Sequence, residues 1–367
     1  MLKKTFFAML AALLLLNGLA CKKNEGANQG KVGVAAILNL TGPAARFDAV
    51  KQQTLTIAQE RVKALYPNAQ IQLDLLDAGG GPEATTVAVR QALQKGASCF
   101  LSGTSPTALA IAAQVRDHNP AVAQMANAAN PDFGPPRPGE YRLWPDWKQE
   151  AEIIAGILRE ANLTKILLIH SADPYSEALT KALNEQAQAS SALALNDLQY
   201  DPASTPDFRP ALLRAKQDQV QALVIFGLPP GIRALMAQMA EVNWDQTLIG
   251  GVNINLAVAD FDATGLKGPL WLVQTEAMQD SLPQDSEAQL FRSAYLAKYN
   301  EKPPFHALYL ADALYFLAAG SAGNAEAPAP AIVEHLGRVR NFESASGRIE
   351  VDENGVLRFV MRARKAR

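Results

Sequence analysis

The chain has 367 residues, enough for two domains, and its formal net charge of −2 removes any electrostatic case for binding nucleic acid. Its two cysteines are Cys21 and Cys99, so the body beyond Cys21 can hold no internal disulfide in any compartment. Cys99 stands in the apolar run SCFLSG and reads as a buried small hydrophobe.

Lys3 and Lys4 precede an almost wholly apolar run from Phe6 to Leu16, and Gly18-Leu19-Ala20-Cys21 follows. A charged start, a short apolar core and a small-residue exit predict a secretory signal over residues 1–20. The core is shorter than the roughly 20 residues a spanning helix needs. A cysteine directly after the cut site resembles the bacterial lipoprotein signal, in which that thiol receives the lipid; Gly18 stands where that signal usually carries leucine. Residues 21–30 then read as a lipidated tether, because KKNEGANQG is polar and rich in glycine and asparagine.

Beyond the tether, β-type runs alternate with helical spacing. KVGVAAIL (31–38), IQLDLLDA (71–78), SCFLSG (98–103) and AVAQMANA (121–128) read as strands; residues 49–66, 82–96 and 107–118 read as the helices between them. The order then restarts. Helical patterns at 150–163, 176–189, 207–217 and 231–242 alternate with strands at 165–171, 192–200, 222–228 and 247–252. This predicts an α/β fold with two doubly wound parallel sheets. Two later helices, around 286–300 and 306–320, follow both units, and SGRIEVDENGVLRFVMR closes the chain as two strand-like runs around an Asn-Gly turn. The basic end RFVMRARKAR reads as a solvated tail. Ligands of open α/β sheets sit beyond the carboxyl ends of the strands. The loops at 39–46, 77–82, 103–107, 126–135, 171–176, 227–231 and 250–255 are therefore where function is sought.

Several of these loops share a pattern with a known family. LTGPAARF follows the first strand, LDAGGGPEATTVAVRQAL the second, GTSPTALAIAA and NAANPDF the third and fourth, DPYSEAL opens the second unit, and FRSAYLAKYNEKPPFHALYLADAL lies late. In this order the sequence resembles the branched-chain amino acid–binding proteins, the type I periplasmic solute receptors of ABC transporters, from about residue 31 to 320. The resemblance implies two lobes joined by three crossings, near Trp144–Trp147, Glu276 and Gly347. Lobe 1 would then be residues 31–144 and 277–346, and lobe 2 residues 145–276 and 347–367. It also implies a small-molecule solute held in the cleft, a membrane permease of an ABC importer as partner, no cofactor, a monomer, and a lipid-anchored place in the periplasm or at the cell surface.

The resemblance assigns roles to single positions. From the residues alone, Ser105 is a candidate N-cap, Pro106 suits the first helical position, and a helix start is a ready carboxylate site; Thr107 matches the hydroxyl that holds the ligand carboxylate. Ala129 stands where the family has a second hydroxyl, with Asn127 and Asn130 beside it as alternative donors. Phe47 matches one aromatic wall and Tyr175 the lid facing it; Phe226 and Leu228 reach the same rim. The plain alternative for each aromatic is core packing. Val252 and Asn253 stand near where amino-acid binders carry an acid for the ligand's ammonium. An ammonium buried without a counter-charge costs several kcal/mol. So either Asp48 or Asp173 supplies the acid, or the ligand lacks an amine.

An enzyme has little to stand on. The four histidines are scattered, no His-x-x-x-His or Cys-x-x-Cys spacing supports a metal, no Gly-x-Ser-x-Gly elbow exists, and AGGG is followed by no Lys-Ser/Thr. The remaining alternative is an interaction module of the cell envelope that regulates a partner protein.

Overall fold

A computed structural model describes residues 31–42, 45–79, 81–116, 122–133, 137–190, 193–204, 206–258, 265–321 and 332–367. The signal segment, the tether and Cys21 lie outside the described residues.

The first half builds a five-stranded parallel sheet from β1 (Val32–Leu38), β2 (Ile71–Asp77), β3 (Cys99–Ser102), β4 (Ala123–Ala126) and β5 (Glu140–Arg142), in the order β2-β1-β3-β4-β5. Helices α1 (Ala45–Leu65), α2 (Pro82–Gln94) and α3 (Ser105–Val115) make the crossovers. β1 is interior and almost wholly buried, which accounts for its unbroken apolar run; β2 lies at one edge and is only partly buried along its length. Cys99 is fully buried, as its apolar surroundings predict.

The second sheet has six strands in the order β14-β10-β9-β8-β6-β7. They are β6 (Lys165–Ser171), β7 (Ala194–Tyr200), β8 (Ala222–Phe226), β9 (Thr247–Gly250), β10 (Leu270–Thr275) and β14 (Met361–Lys365), the last antiparallel to β10. Helices α4 (Trp147–Glu160), α5 (Pro174–Ser190), α6 (Arg209–Gln217), α7 (Pro229–Glu241) and α8 (Ile254–Val258) belong to this half.

The late helices α9 (Glu287–Tyr299) and α10 (Phe305–Ser321) pack on α1, and α11 (Ile332–Leu336) packs on α10. Arg61 on α1 grips Glu287 on α9 through both carboxylate oxygens, at 2.9 and 2.6 Å. A three-stranded antiparallel sheet of β11 (Asn341–Ser344), β12 (Gly347–Val351) and β13 (Leu357–Phe359) covers α10. Gly347, where sequence reasoning puts the third crossing, opens β12 inside this small sheet. Ile349, Val351, Leu357 and Phe359 are buried, and the Phe359 ring packs tilted against Tyr309 of α10, centroids 4.7 Å apart. These contacts keep β12 and β13 with the first half; the chain joins the second sheet only between Phe359 and Met361.

Both large sheets share one topological feature. β1 has β2 on one side and β3 on the other, and β6 likewise has β7 and β8. The chain leaves each of these strands in one direction and returns to its other side, which opens a crevice beyond their carboxyl ends. Phe47 and Thr107 follow β1 and β3; Tyr175 and Leu228 follow β6 and β8.

Candidate functional site

On the first half, the loop after β3 turns into α3 through Thr104, which is the N-cap in place of the expected Ser105. Thr104 Oγ1 accepts from the Thr107 N–H at 3.4 Å and lies 3.0 Å from Thr107 Oγ1. Ser105 becomes the first helical residue, and its Oγ accepts from the Asn130 N–H at 3.2 Å, tying the 127–130 loop to the head of α3. Pro106 has no N–H and the Thr107 amide is taken by Thr104, so the Ser105 amide and the Thr107 hydroxyl are what this end offers a carboxylate. Asn127 is buried and gives its Nδ2 to the His306 carbonyl, while Ala129 is half-buried beside it. Phe47 is 51% exposed at the head of α1, with the exposed Arg46 guanidinium 4.9 Å above its ring.

A charged cluster beneath this loop escapes sequence reasoning. Asp48 is fully buried. It accepts from the Asn39 N–H and Nδ2 at 2.8 and 2.9 Å and from Lys51 Nζ at 3.0 Å. Lys51 also donates to the Gly103 carbonyl. Burial lowers the Lys51 ammonium from its ordinary value although Asp48 pulls the other way. His306 is pushed down to about 4, chiefly by burial and then by the Lys51 charge.

On the second half, Asp173 caps α5. It accepts from the Tyr175 and Ser176 N–H groups at 3.1 Å each and from the Ser171 hydroxyl. Tyr175 is only 4% exposed. Its hydroxyl donates to Glu150 Oε2 at 2.6 Å, and its ring meets Trp144 edge-on at 6.5 Å. No ring contact joins it to Phe47 among the described residues; Trp144 in turn meets Tyr309 of the first half at 5.6 Å. Phe226 is buried at the end of β8, Leu228 is 45% exposed, Val252 is buried and Asn253 half-buried.

Glu150 is the residue that sequence reasoning misses here. It sits in the first turn of α4, fully buried, and its Oε1 accepts from the Val252 N–H at 2.9 Å. Burial pushes its carboxyl up to about 7, against the lowering effect of the Tyr175 and Val252 hydrogen bonds. A Cβ on Gly251 would stand 2.0 Å from Glu150 Oε1, so the Gly-Gly turn is what admits the acid. The only hint in the sequence is an acid amid the apolar stripe of EAEIIAGIL.

Two doubly wound parallel sheets, each with its crossover helices and joined through short connections, have the type I periplasmic binding protein fold. The family model described as "Periplasmic binding protein" matches residues 31–362, and the chain belongs to that family. Members of this family are extracytoplasmic binding proteins rather than enzymes. No curated protein matches the chain. Among solved structures, a leucine-binding protein, LivK, from Thermotoga maritima is similar at 20% identity and TM-score 0.73, covering 92% of this chain and 95% of its own. The LivJ substrate-binding protein of Streptococcus pneumoniae, solved with isoleucine, is 18% identical at TM-score 0.70, covering 91% and 99%. A solute-binding protein of Rhodopseudomonas palustris, solved with 3,4-dihydroxybenzoic acid, is 18% identical at TM-score 0.71, covering 92% and 93%.

Proposed function

We propose that the chain is a lipid-anchored solute receptor of an ABC importer, tethered through Cys21, that clasps a small carboxylate lacking an α-amine. Its two lobes are the halves built on the five- and six-stranded sheets. The hinge runs through Leu143–Asp146, Thr275–Met278 and Val360, and the ligand favours closure by touching both lobes.

The observation that carries the ligand class is the state of the acids. Asp48 is engaged by Asn39 and Lys51, Asp173 by the start of α5, and Glu150 by Tyr175 and Val252. An ammonium would compete with these internal partners for each acid, whereas the head of α3 offers a ligand carboxylate the Ser105 amide and the Thr107 hydroxyl. Among the proteins of similar fold, one is solved with a dihydroxybenzoic acid, a carboxylate without an amine.

Thermal-shift and calorimetric titration of the purified protein with benzoate, 3,4-dihydroxybenzoate, leucine and leucinamide tests this. The acids should raise the melting temperature by mass action and the two amines should not. Thr107→Val should weaken the acids about ten- to a hundredfold, the loss of one hydrogen bond to a charged group. Leucine binding more tightly than the acids would overturn the ligand class; unchanged acid affinity in Thr107→Val would overturn the placement of the carboxylate.

A further inference from the structure

A cavity of about 450 Å³ lies beside the Thr275–Met278 connection, and none of the candidate site residues above lines it. One wall belongs to the first half, with Arg292 and Leu296 on α9 and Phe305 at the head of α10; the other belongs to the second, with Asn255 on α8, Gln274 on β10 and Arg364 on β14.

One acceptor in this wall has a fixed orientation and no partner. Asn255 Nδ2 donates to the carbonyl oxygens of Val252 and Val273 at 2.9 and 2.8 Å. Carbonyls only accept, so this amide cannot be turned round, and Asn255 Oδ1 must accept from Gln274 Nε2, at 2.8 Å. Gln274 Oε1 is left buried and unpartnered on a side chain that is 4% exposed. It is one of twelve buried side-chain atoms without a partner among the described residues, and the one of them whose residue lines this cavity. The charges around it are uneven: Arg292, Lys302 and Arg364 line the cavity against one acid, Asp280. Asp280 lies 3.5 Å from Arg364. Arg292 gives NH1 and NH2 to the Gln279 and Glu276 carbonyls, at 2.7 and 2.9 Å; burial lowers its guanidinium from the ordinary value, against the pull of the Asp280 and Glu276 carboxylates. Met278 and Phe305 supply apolar surface between the charges.

We propose that this cavity is an effector site for a small amphipathic carboxylate that also carries a hydroxyl or N–H donor. The acid faces Lys302 and Arg292, the apolar body lies on Phe305 and Met278, and the donor meets Gln274 Oε1, which is covered in this lobe arrangement and comes within reach as the walls move. The proposal rests on the hinge reading above: an occupant that touches both walls favours the lobe arrangement that brings them within reach of it. The hydrogen bonds also run on towards the cleft. Asn255 holds the Val252 carbonyl, the Val252 N–H is held by Glu150, and Glu150 holds Tyr175. Any coupling between the two sites must be reciprocal.

The test uses 4-hydroxybenzoate as probe and the methyl resonance of Met278, one of seven methionines, in methionine-labelled protein. Met278→Leu assigns the signal. Met278 should shift saturably below about 10 mM probe. Gln274→Leu should raise the apparent dissociation constant about five- to tenfold, and Lys302→Glu at least as much. No shift over that range overturns the site. So does an unchanged dissociation constant in both variants, because Met278 would then be reporting only hinge movement driven from the cleft. Thr107→Val should leave the Met278 titration in place; an intact titration in a protein whose cleft binds nothing would sink the receptor reading and spare this one.

Discussion

Replacing Glu150 with glutamine isolates the cost of one buried charge. In the native protein Glu150 is fully buried, and its carboxyl rises from 4.5 to about 7 because burial disfavours the ionised form. Each pKa unit corresponds to about 1.4 kcal/mol, so the ionised state costs on the order of 3 kcal/mol of stability. The sign follows from proton binding. Between the two values the native state holds the proton more tightly than the unfolded state, so stability falls as pH rises from 4.5 to about 7 and is lower by the full amount above that. Glutamine keeps the shape: its oxygen accepts from the Val252 N–H, and its amide donates to the Tyr175 oxygen, whose hydroxyl then turns to the Pro145 carbonyl at 3.3 Å. Glu150→Gln should therefore match the native protein near pH 4.5 and exceed it by about 3 kcal/mol near pH 8. Urea titrations at the two pH values measure this; at a slope of about 3 kcal/mol/M the midpoint at the higher pH should move by about 1 M. Asp312, also raised to about 7 by burial, gives the same slope in both proteins and cancels in the difference. An equal offset at both pH values, or a variant less stable at the higher one, would refute the reasoning: the Tyr175 and Val252 bonds would then outweigh desolvation.

Two further substitutions probe the frame around the cleft. Lys51→Met leaves Asp48 buried without its cation and the Gly103 carbonyl without its donor. It should cost about 3–5 kcal/mol in thermal or chemical unfolding, and Asp48→Asn in the same chain should recover part of that; an equal loss in the single and double variants would contradict the pairing. Gly347→Ala places a Cβ 2.3 Å from Glu276 Oε2 on a backbone with φ of +119°, where L residues are strained. It should cost about 1–3 kcal/mol by the same measurement, and a neutral result would mean that β12 and Glu276 can part freely.

The alternation of strand and helix carries the two large sheets, because a parallel strand must be apolar and its crossover helix must cover it. What the alternation hides is instructive. β5 has three residues, too few for any period, and forms because Gln124–Ala126 of β4 pair with Glu140–Arg142. β10 lies beyond a Gly-Pro step that reads as a loop end, yet LWLVQT pairs with both β9 and β14. The site is less legible than the fold for a similar reason. A helix cap such as Asp173 is local, and its partners lie two and three residues on. The partners on which the proposed ligand class rests are remote: Glu150 meets Tyr175 across 25 positions and Val252 across 102. Sequence spacing offers Asp48 as an acid for an amine; only the fold shows Asn39 and Lys51 already holding it.

Glu150 and the Gly250-Gly251-Val252 turn are one structural fact. The turn can pass so close to the acid only because Gly251 has no Cβ, and the Val252 N–H points inward because Glu150 is there to accept it. A loop whose backbone is bound to the wall in this way does not extend an acid of its own towards the cleft from Val252, whose side chain is fully buried. The negative charge therefore lies inside the wall on α4, where burial keeps it partly protonated near neutral pH. A carboxylate ligand approaching the head of α3 meets less repulsion from such a wall than from one with an ionised acid on its surface. On the proposed reading, the same exchange that removes the partner for an ammonium makes room for an anion.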